Sequence, residues 1–420
     1  MKRSTVAAPV DAAQTDTATR TAEILHSNGQ ESADTVETAT ALLRPTDPAA
    51  TVDLSWAGVT VHGQGQKRFL PAVPAAINMR RVEAVLLALN AYRRDGRSLS
   101  NLKQHLSNAA ALPPAPLWLF MLACITGGTS LAVIFGARTL PGLIVIAISC
   151  ALGGLVRRLL GRIDVGPLAQ AFVAALVAGL VGGIAVQLDL STPLRLVAVC
   201  PAMILVPGPH ILNGLIDIAR LRVPLGTARL VFAAATLGCI GVGVSVGLAL
   251  CGVTLPLEPA SVPVPVWADV PAAGIAAASF CVYFSAPARL FFWPVIVGML
   301  AHAARWLVMG PGHQSIAVGA LVACILVSVI LVPISRRRGL PFAAVGFASV
   351  VALVPGVYIF RTINGLFTLL QEPATADTTH LLGVASDATT ASAIIVGMMV
   401  GLLVPMRILE LARRRTVVNA

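Results

Sequence analysis

Apolar and polar positions divide this chain near residue 116. Beyond it, apolar residues run in blocks near 117–135, 140–156, 167–188, 194–217, 227–252, 268–286, 290–309, 315–334, 340–368 and 390–409. A bilayer-spanning helix needs about 20 apolar residues, and most of these blocks are long enough. Upstream the pattern is that of a water-soluble domain. Residues 1–18 are small, polar and without period, which predicts a disordered tail. Over residues 51–61 an interrupted alternation puts Val52, Leu54 and Trp56 on one face and predicts strands. Val82, Val85, Leu86 and Leu89 keep helical spacing up to Arg93-Arg94-Asp95-Gly96, and Ser98 caps a further helix reaching towards His105. Leu112-Pro113-Pro114-Ala115-Pro116 forms a stiff linker.

The expected fold is therefore an all-α polytopic membrane protein. It has ten transmembrane helices as two inverted five-helix repeats, and a small α/β cytoplasmic N-terminal domain. Its parts are a tail (1–18), the domain and linker (19–116), the first repeat (117–255), and the second repeat with a basic C-terminal tail (256–420).

Two of the apolar blocks carry the same interruption. Leu205-Val206-Pro207-Gly208 precedes Asn213-Gly214, and Leu353-Val354-Pro355-Gly356 precedes Asn364-Gly365. Unbroken, blocks of that length would be about 36 and 43 Å long, against a hydrocarbon core of roughly 30 Å. A Pro-Gly break near the middle absorbs the excess. It also frees backbone N–H and carbonyl groups that lipid cannot satisfy. The half-helix N-termini favour anions and the C-termini favour cations, so a zwitterion suits a cavity between them. Paired breaks of this kind point to the solute site of a secondary transporter. A proline kink that serves packing alone produces the same pattern.

Composition agrees with insertion. Of 420 residues 56% are hydrophobic and 12% charged, and the mean hydropathy is +0.83. The net charge of +11 lies largely in short loops, with few aromatics to stack bases, which excludes a nucleic-acid partner. One set of loops holds Arg157, Arg158, Arg162, Arg220, Arg222, Arg229, Arg289, Arg336 to Arg338 and Arg413 to Arg415. The alternate loops hold little beyond Arg138, Arg195, Glu258, Asp269, Glu372, Asp377 and Asp387. The positive-inside rule then puts both termini in the cytoplasm. No apolar stretch follows the N-terminus at signal-peptide distance. An odd number of crossings per half makes the second half enter from the opposite face, which is the arithmetic of an inverted repeat.

The ionisable residues inside apolar blocks are the candidates for chemistry. Asp217 can bind an ammonium or carry a proton, or it can simply pair with Arg220 one turn on. His210 and His302 can relay protons near neutral pH, or can bond between helices. Arg361 can meet a carboxylate or snorkel. Seven scattered cysteines make neither a disulfide frame nor a metal site, and no cofactor or metal is expected. Gly243-Val244-Ser245-Val246-Gly247 matches a nucleophile elbow, but lies within an apolar span rather than a strand–turn–helix. It reads as a small-residue packing seam, as do Gly179 and Gly183.

Leu205-Val206-Pro207-Gly208-Pro209, Asn213-Gly214, Asp217 and Gly226-Thr227-Ala228-Arg229 resemble the signature of the bacterial threonine/serine exporter family. Ala352 to Gly356 with Arg361 resembles the companion domain of those exporters. The resemblance spans residues 20–412. It implies proton-driven export of small hydroxylated amino acids across the inner membrane, and related two-subunit members handle succinate. Substrate binding is then expected at Pro207, Gly208, Asn213, Asp217, Pro355, Gly356, Arg361 and Asn364, and proton coupling at Asp217, His210 and His302. The partners are a small amino acid or carboxylate, protons and the bilayer, with self-association left open. The second motif is looser, since Asn364 follows its Pro-Gly pair by three residues more than Asn213 does. The rival readings are a dicarboxylate exporter of the same fold, a sensor worked by its N-terminal domain, and a membrane-embedded enzyme.

Overall fold

The computed structural model describes residues 12–63, 66–96, 98–192, 194–256, 264–338, 340–371 and 378–418. Glu258, Glu372 and Asp377, three of the sparse charges in the alternate loops, lie outside the described residues. Two compact units emerge: Met1–Pro114 with Asn213–Arg229, and Ala115–Leu212 with Leu230–Ala420. The segment 213–229, expected within the first membrane repeat, thus groups with the N-terminal residues.

The first unit begins with α1 (Ala12–Ser27) and α2 (Ser32–Leu43). The strands β1 (Thr51–Leu54), β2 (Gly58–Gly63) and β3 (Gln66–Pro71) follow, then α3 (Met79–Asp95) and α4 (Leu99–Ala111). The strands form an antiparallel sheet in the order β1-β2-β3, with Val52 opposite Val61 and Val59 opposite Leu70. The alternation read over 51–61 thus becomes a hairpin, with Trp56 in its turn rather than on a strand face. Ser55 and Gly58 close that turn by exchanging backbone hydrogen bonds. A Cβ at Gly58 would lie 2.2 Å from the Leu70 carbonyl oxygen, so only glycine fits there.

The tail expected at 1–18 is helical from Ala12 onward. Ala18, Ala22 and Leu25 are buried at helical spacing, a stripe that a composition of small and polar residues conceals. Ser98 caps α4 as expected, its Oγ accepting from the Asn101 N–H at 3.3 Å.

In the second set of elements, α5 (Leu117–Ile134), α6 (Leu140–Arg162) and α7 (Pro167–Gln187) come first. The bent pair α8 (Leu196–Ile204) and α9 (Gly208–Ala219) follows, then α10 (Val223–Ala249). Next come α11 (Val266–Tyr283), α12 (Phe292–Met309) and α13 (Ile316–Arg338). A second bent pair, α14 (Phe342–Val350, prolonged by a 3₁₀ turn at Val351–Leu353) and α15 (Gly356–Gln371), leads to α16 (Thr378–Val418). Eight described helices are long and apolar enough to cross a bilayer, or ten spans if each bent pair is one. All ten match the predicted blocks. The last helix begins at Thr378 instead of near 390 and so takes in Asp387. Leu140, Ile144, Ile148, Leu152 and Leu159 stand exposed along α6, an apolar stripe that suits lipid. This is a multi-pass membrane protein.

The neighbours in one set of helices recur in the other. α5 packs on α6, α6 on α7, and α8 against all three; α11 packs on α12, α12 on α13, and α14 against all three. The fifth member of each set packs on the third through glycine. Cβ atoms at Gly179 and Gly247 would lie 2.4 Å from the carbonyls of Val244 and Leu176, between α7 and α10. At Gly397 and Gly401 they would lie 2.9 and 2.5 Å from the carbonyls of Ala317 and Leu321, between α16 and α13. The Gly243 to Gly247 string is therefore the packing seam expected of it. The first members of the two sets, α5 and α11, pack on each other.

Candidate functional site

Each predicted break is present. α8 and α9 meet at 54°, and the second pair at 59°. The chain leaves both first half-helices through 3₁₀-type bonds, Val206 N–H to the Met203 carbonyl (3.3 Å) and Val354 N–H to the Val351 carbonyl (3.2 Å). Proline then removes a donor, and the following glycine N–H turns back across it. Gly208 bonds Val206 at 2.9 Å and Gly356 bonds Val354 at 2.8 Å. The two breaks are thus the same local structure.

They also pack reciprocally. A Cβ at Gly208 would fall 1.5 Å from the Phe347 ring, on α14, and one at Gly356 would fall 2.7 Å from the Met203 side chain, on α8. Each glycine therefore faces the helix that leads into the other break. The expectation of free N–H groups is not met at the first break. Pro209 has none, and those of Gly208 and His210 are taken by the carbonyls of Val206 and Pro207. A local turn has satisfied the donors that an ideal half-helix exposes.

Beyond the breaks, α9 carries His210, Asn213 and Asp217 along one face, and α15 carries Tyr358, Arg361 and Asn364. All but Tyr358 are buried. Counted from the glycine that starts each helix, His210 matches Tyr358 and Asn213 matches Arg361, so Asn364 is not the counterpart of Asn213. Buried polar rows on otherwise apolar helices are costly unless matched.

On α9 the matching groups come from the α1–α2 turn. Asn213 Nδ2 donates to the Gly29 carbonyl at 3.0 Å, and Ser32 Oγ donates to Asp217 Oδ2 at 2.9 Å. Asp217 lies 3.5 Å from Arg229 Nη1, while Arg220, expected as its partner, pairs with Glu31 instead. The end of α9 explains the exchange. Leu221 sits at φ +62°, with its N–H on the Ile218 carbonyl (2.9 Å) and the Arg222 N–H on the Asp217 carbonyl (2.8 Å). This Schellman-type reversal directs the chain back before α10, which delivers Arg229.

Arg229 Nη2 approaches His26 Nδ1 at 3.5 Å, and His26 Nε2 must donate to the Ser55 carbonyl at 2.9 Å, since a carbonyl only accepts. Burial, and after it the charge of Arg229, pushes the His26 imidazole down to about 4 against the pull of that bond. His26 is therefore neutral, with its proton on Nε2.

In the second set, Arg361 Nε lies 2.9 Å from Asp387 Oδ2, both buried. Asn364 donates to Ser245 Oγ (3.1 Å) and accepts from the Leu255 N–H (2.8 Å). His302 Nδ1 donates to Asp269 Oδ2 at 2.9 Å, with His302 fully enclosed and its Nε2 without a hydrogen-bond partner among the described residues. His210 packs edge-on against Phe232, with ring centroids 5.0 Å apart. Asp269, Asp387, Ser245 and the Gly29–Ser32 turn were not singled out as site residues from the sequence. The two acids each lie inside an apolar helix, α11 and α16, which is the signal that identifies Asp217, whereas the charge pattern of the sequence places them in loops.

A family model described as a threonine/serine exporter matches residues 16–251. A second, described as Threonine/Serine exporter, ThrE, matches residues 269–408. Comparison with curated proteins and with solved structures found no match.

Proposed function

Since the chain belongs to the threonine/serine exporter family of membrane transporters, we propose that it exports threonine, serine and similar small amino acids across the bacterial inner membrane in exchange for protons. The observation that carries this reading is the reciprocal packing of the two Pro-Gly breaks, Gly208 on Phe347 and Gly356 on Met203. Two breaks side by side place irregular backbone where only protein or a water-lined cleft can satisfy it. Pro207, Gly208, Pro355 and Gly356 shape the solute site, and Asn213, Asp217, Arg361 and Asn364 supply polar contacts from the helices that start there. The recurring neighbours support two five-helix repeats. The alternation of basic loops supports their inversion, with both termini cytoplasmic. Rocking of one repeat against the other then gives alternating access.

Asp217, His210 and His302 are the proton carriers in this reading. With Nδ1 held by Asp269, His302 offers a bare Nε2 lone pair in a sealed site, and a proton arriving there makes a charged pair with Asp269. Arg361 is already neutralised by Asp387, which weakens the case for a dicarboxylate as the solute. The test is flux in proteoliposomes under an imposed pH gradient. Threonine efflux is expected to follow the gradient, and threonine to outcompete succinate. Flux indifferent to the gradient would refute proton coupling, and a preference for succinate would refute the substrate class.

A further inference from the structure

The polar row of α9 is already engaged by this chain's own turn, and the groups the turn offers are those of a hydroxylated amino acid. Ser32 presents a β-hydroxyl to Asp217, Gly29 a carbonyl oxygen to Asn213, and Glu31 a carboxylate to Arg220. We propose that Asn213, Asp217, Arg220, Arg222 and Arg229 form a loading site for a β-hydroxy amino acid, and that the Gly29–Ser32 turn holds it as a built-in stand-in when no solute is bound. The proposal rests on the exporter reading and adds to it the place where solute first binds on the N-terminal domain's side.

The fit of the turn is incomplete on the α9–α10 side. Asn213 and Arg229 are buried to 3% and 1% exposure, yet Asn213 Oδ1, Arg229 Nε and Arg222 Nη1 have no hydrogen-bond partner among the described residues, and Arg229 Nη1 has only its 3.5 Å contact with Asp217. Leaving a buried donor or acceptor unmatched costs about 1–3 kcal/mol, and a purely structural dock gains nothing from three of them. They mark capacity that the turn does not use. Two of the three are guanidinium nitrogens, whose fork geometry suits a carboxylate, and the third is an amide oxygen, which accepts from a hydroxyl or ammonium.

Charge points the same way. Arg220, Arg222 and Arg229 gather around Asp217, with Arg220 paired to Glu31 and Arg229 to Asp217, and withdrawal of the turn takes Glu31 away. A solute carboxylate then takes the place of Glu31. Asp217, which already accepts a hydroxyl, receives the solute's hydroxyl or ammonium and repels a second carboxylate. Hydroxylated amino acids thereby compete with the turn, whereas apolar amino acids lack the group that displaces Ser32.

The test uses the full chain in proteoliposomes carrying S32C, with maleimide labelling at that position read by peptide mass spectrometry. Serine or threonine is expected to raise the labelling rate by at least about fivefold, the lower end of ordinary coupling between ligands, with valine and succinate doing little. A second variant, E31Q, is expected to lower the threonine KM on the same side without lowering the maximal rate. Labelling and KM both unmoved, in a protein that transports threonine, would overturn the stand-in and leave the exporter reading intact. Absence of threonine and serine transport altogether would instead overturn the exporter reading. Labelling raised by succinate as much as by serine would overturn the assignment of solute class.

Discussion

Asp217, His302 and Arg361 are visible in the sequence because ionisable residues are rare in apolar spans and costly to bury there. Their partners are harder to see. Ser32 meets Asp217 across 185 residues of chain, and no local pattern encodes such a pairing. Asp387 sits inside α16, where its pairing with Arg361 supplies the balance that a buried charge requires. His26 gives the residue-scale prediction. Its folded value of about 4 lies below the usual value near 6.5, so the unfolded chain binds more protons between them. Stability of the N-terminal unit is full above pH 6.5 and falls as the pH drops towards 4. The loss reaches about 3 kcal/mol for a shift of that size. Hydrogen exchange in α1 and the sheet measures it, and H26N should flatten the dependence. Equal slopes in the two proteins would show that His26 is not the group responsible.

Prolines alone do not break the spanning helices. Pro271, Pro333 and Pro405 lie within α11, α13 and α16, which continue through them. The chain breaks where proline is followed by glycine and the glycine N–H folds back across it. The position of both breaks is therefore legible in the sequence. What the glycines face is not, because Phe347 and Met203 are brought there by packing. The two contacts differ in kind, and that difference is measurable. A methyl group at Gly208 collides with a rigid ring, whereas one at Gly356 meets a flexible methionine that can move aside. G208A should therefore cost roughly 1–3 kcal/mol or more, read as a lower melting temperature in detergent, and G356A distinctly less. F347A combined with G208A should recover part of the loss. Equal effects of G208A and G356A would mean that the contact with Phe347 is not the cause.

At the scale of the whole molecule, the ten apolar blocks of the sequence coincide with eight long apolar helices and two bent pairs among the described residues. Neighbours recur between the two sets of helices, and glycine seams match between α7 and α10 and between α13 and α16. Residues 213–229 group with the N-terminal unit. Apolarity alone assigns that stretch to the membrane, and only the turn of α1–α2 reveals its polar face. In the proposed transport cycle the two breaks form the solute site and the other prolines merely shape helices. Threonine efflux from proteoliposomes carrying P207A, P355A or P333A separates these roles directly. The account predicts that the first two each lower efflux at least about tenfold, equivalent to some 1.4 kcal/mol, while P333A stays near the unaltered protein. Three variants that transport alike would contradict it, and the paired breaks would then be kinks that serve packing alone.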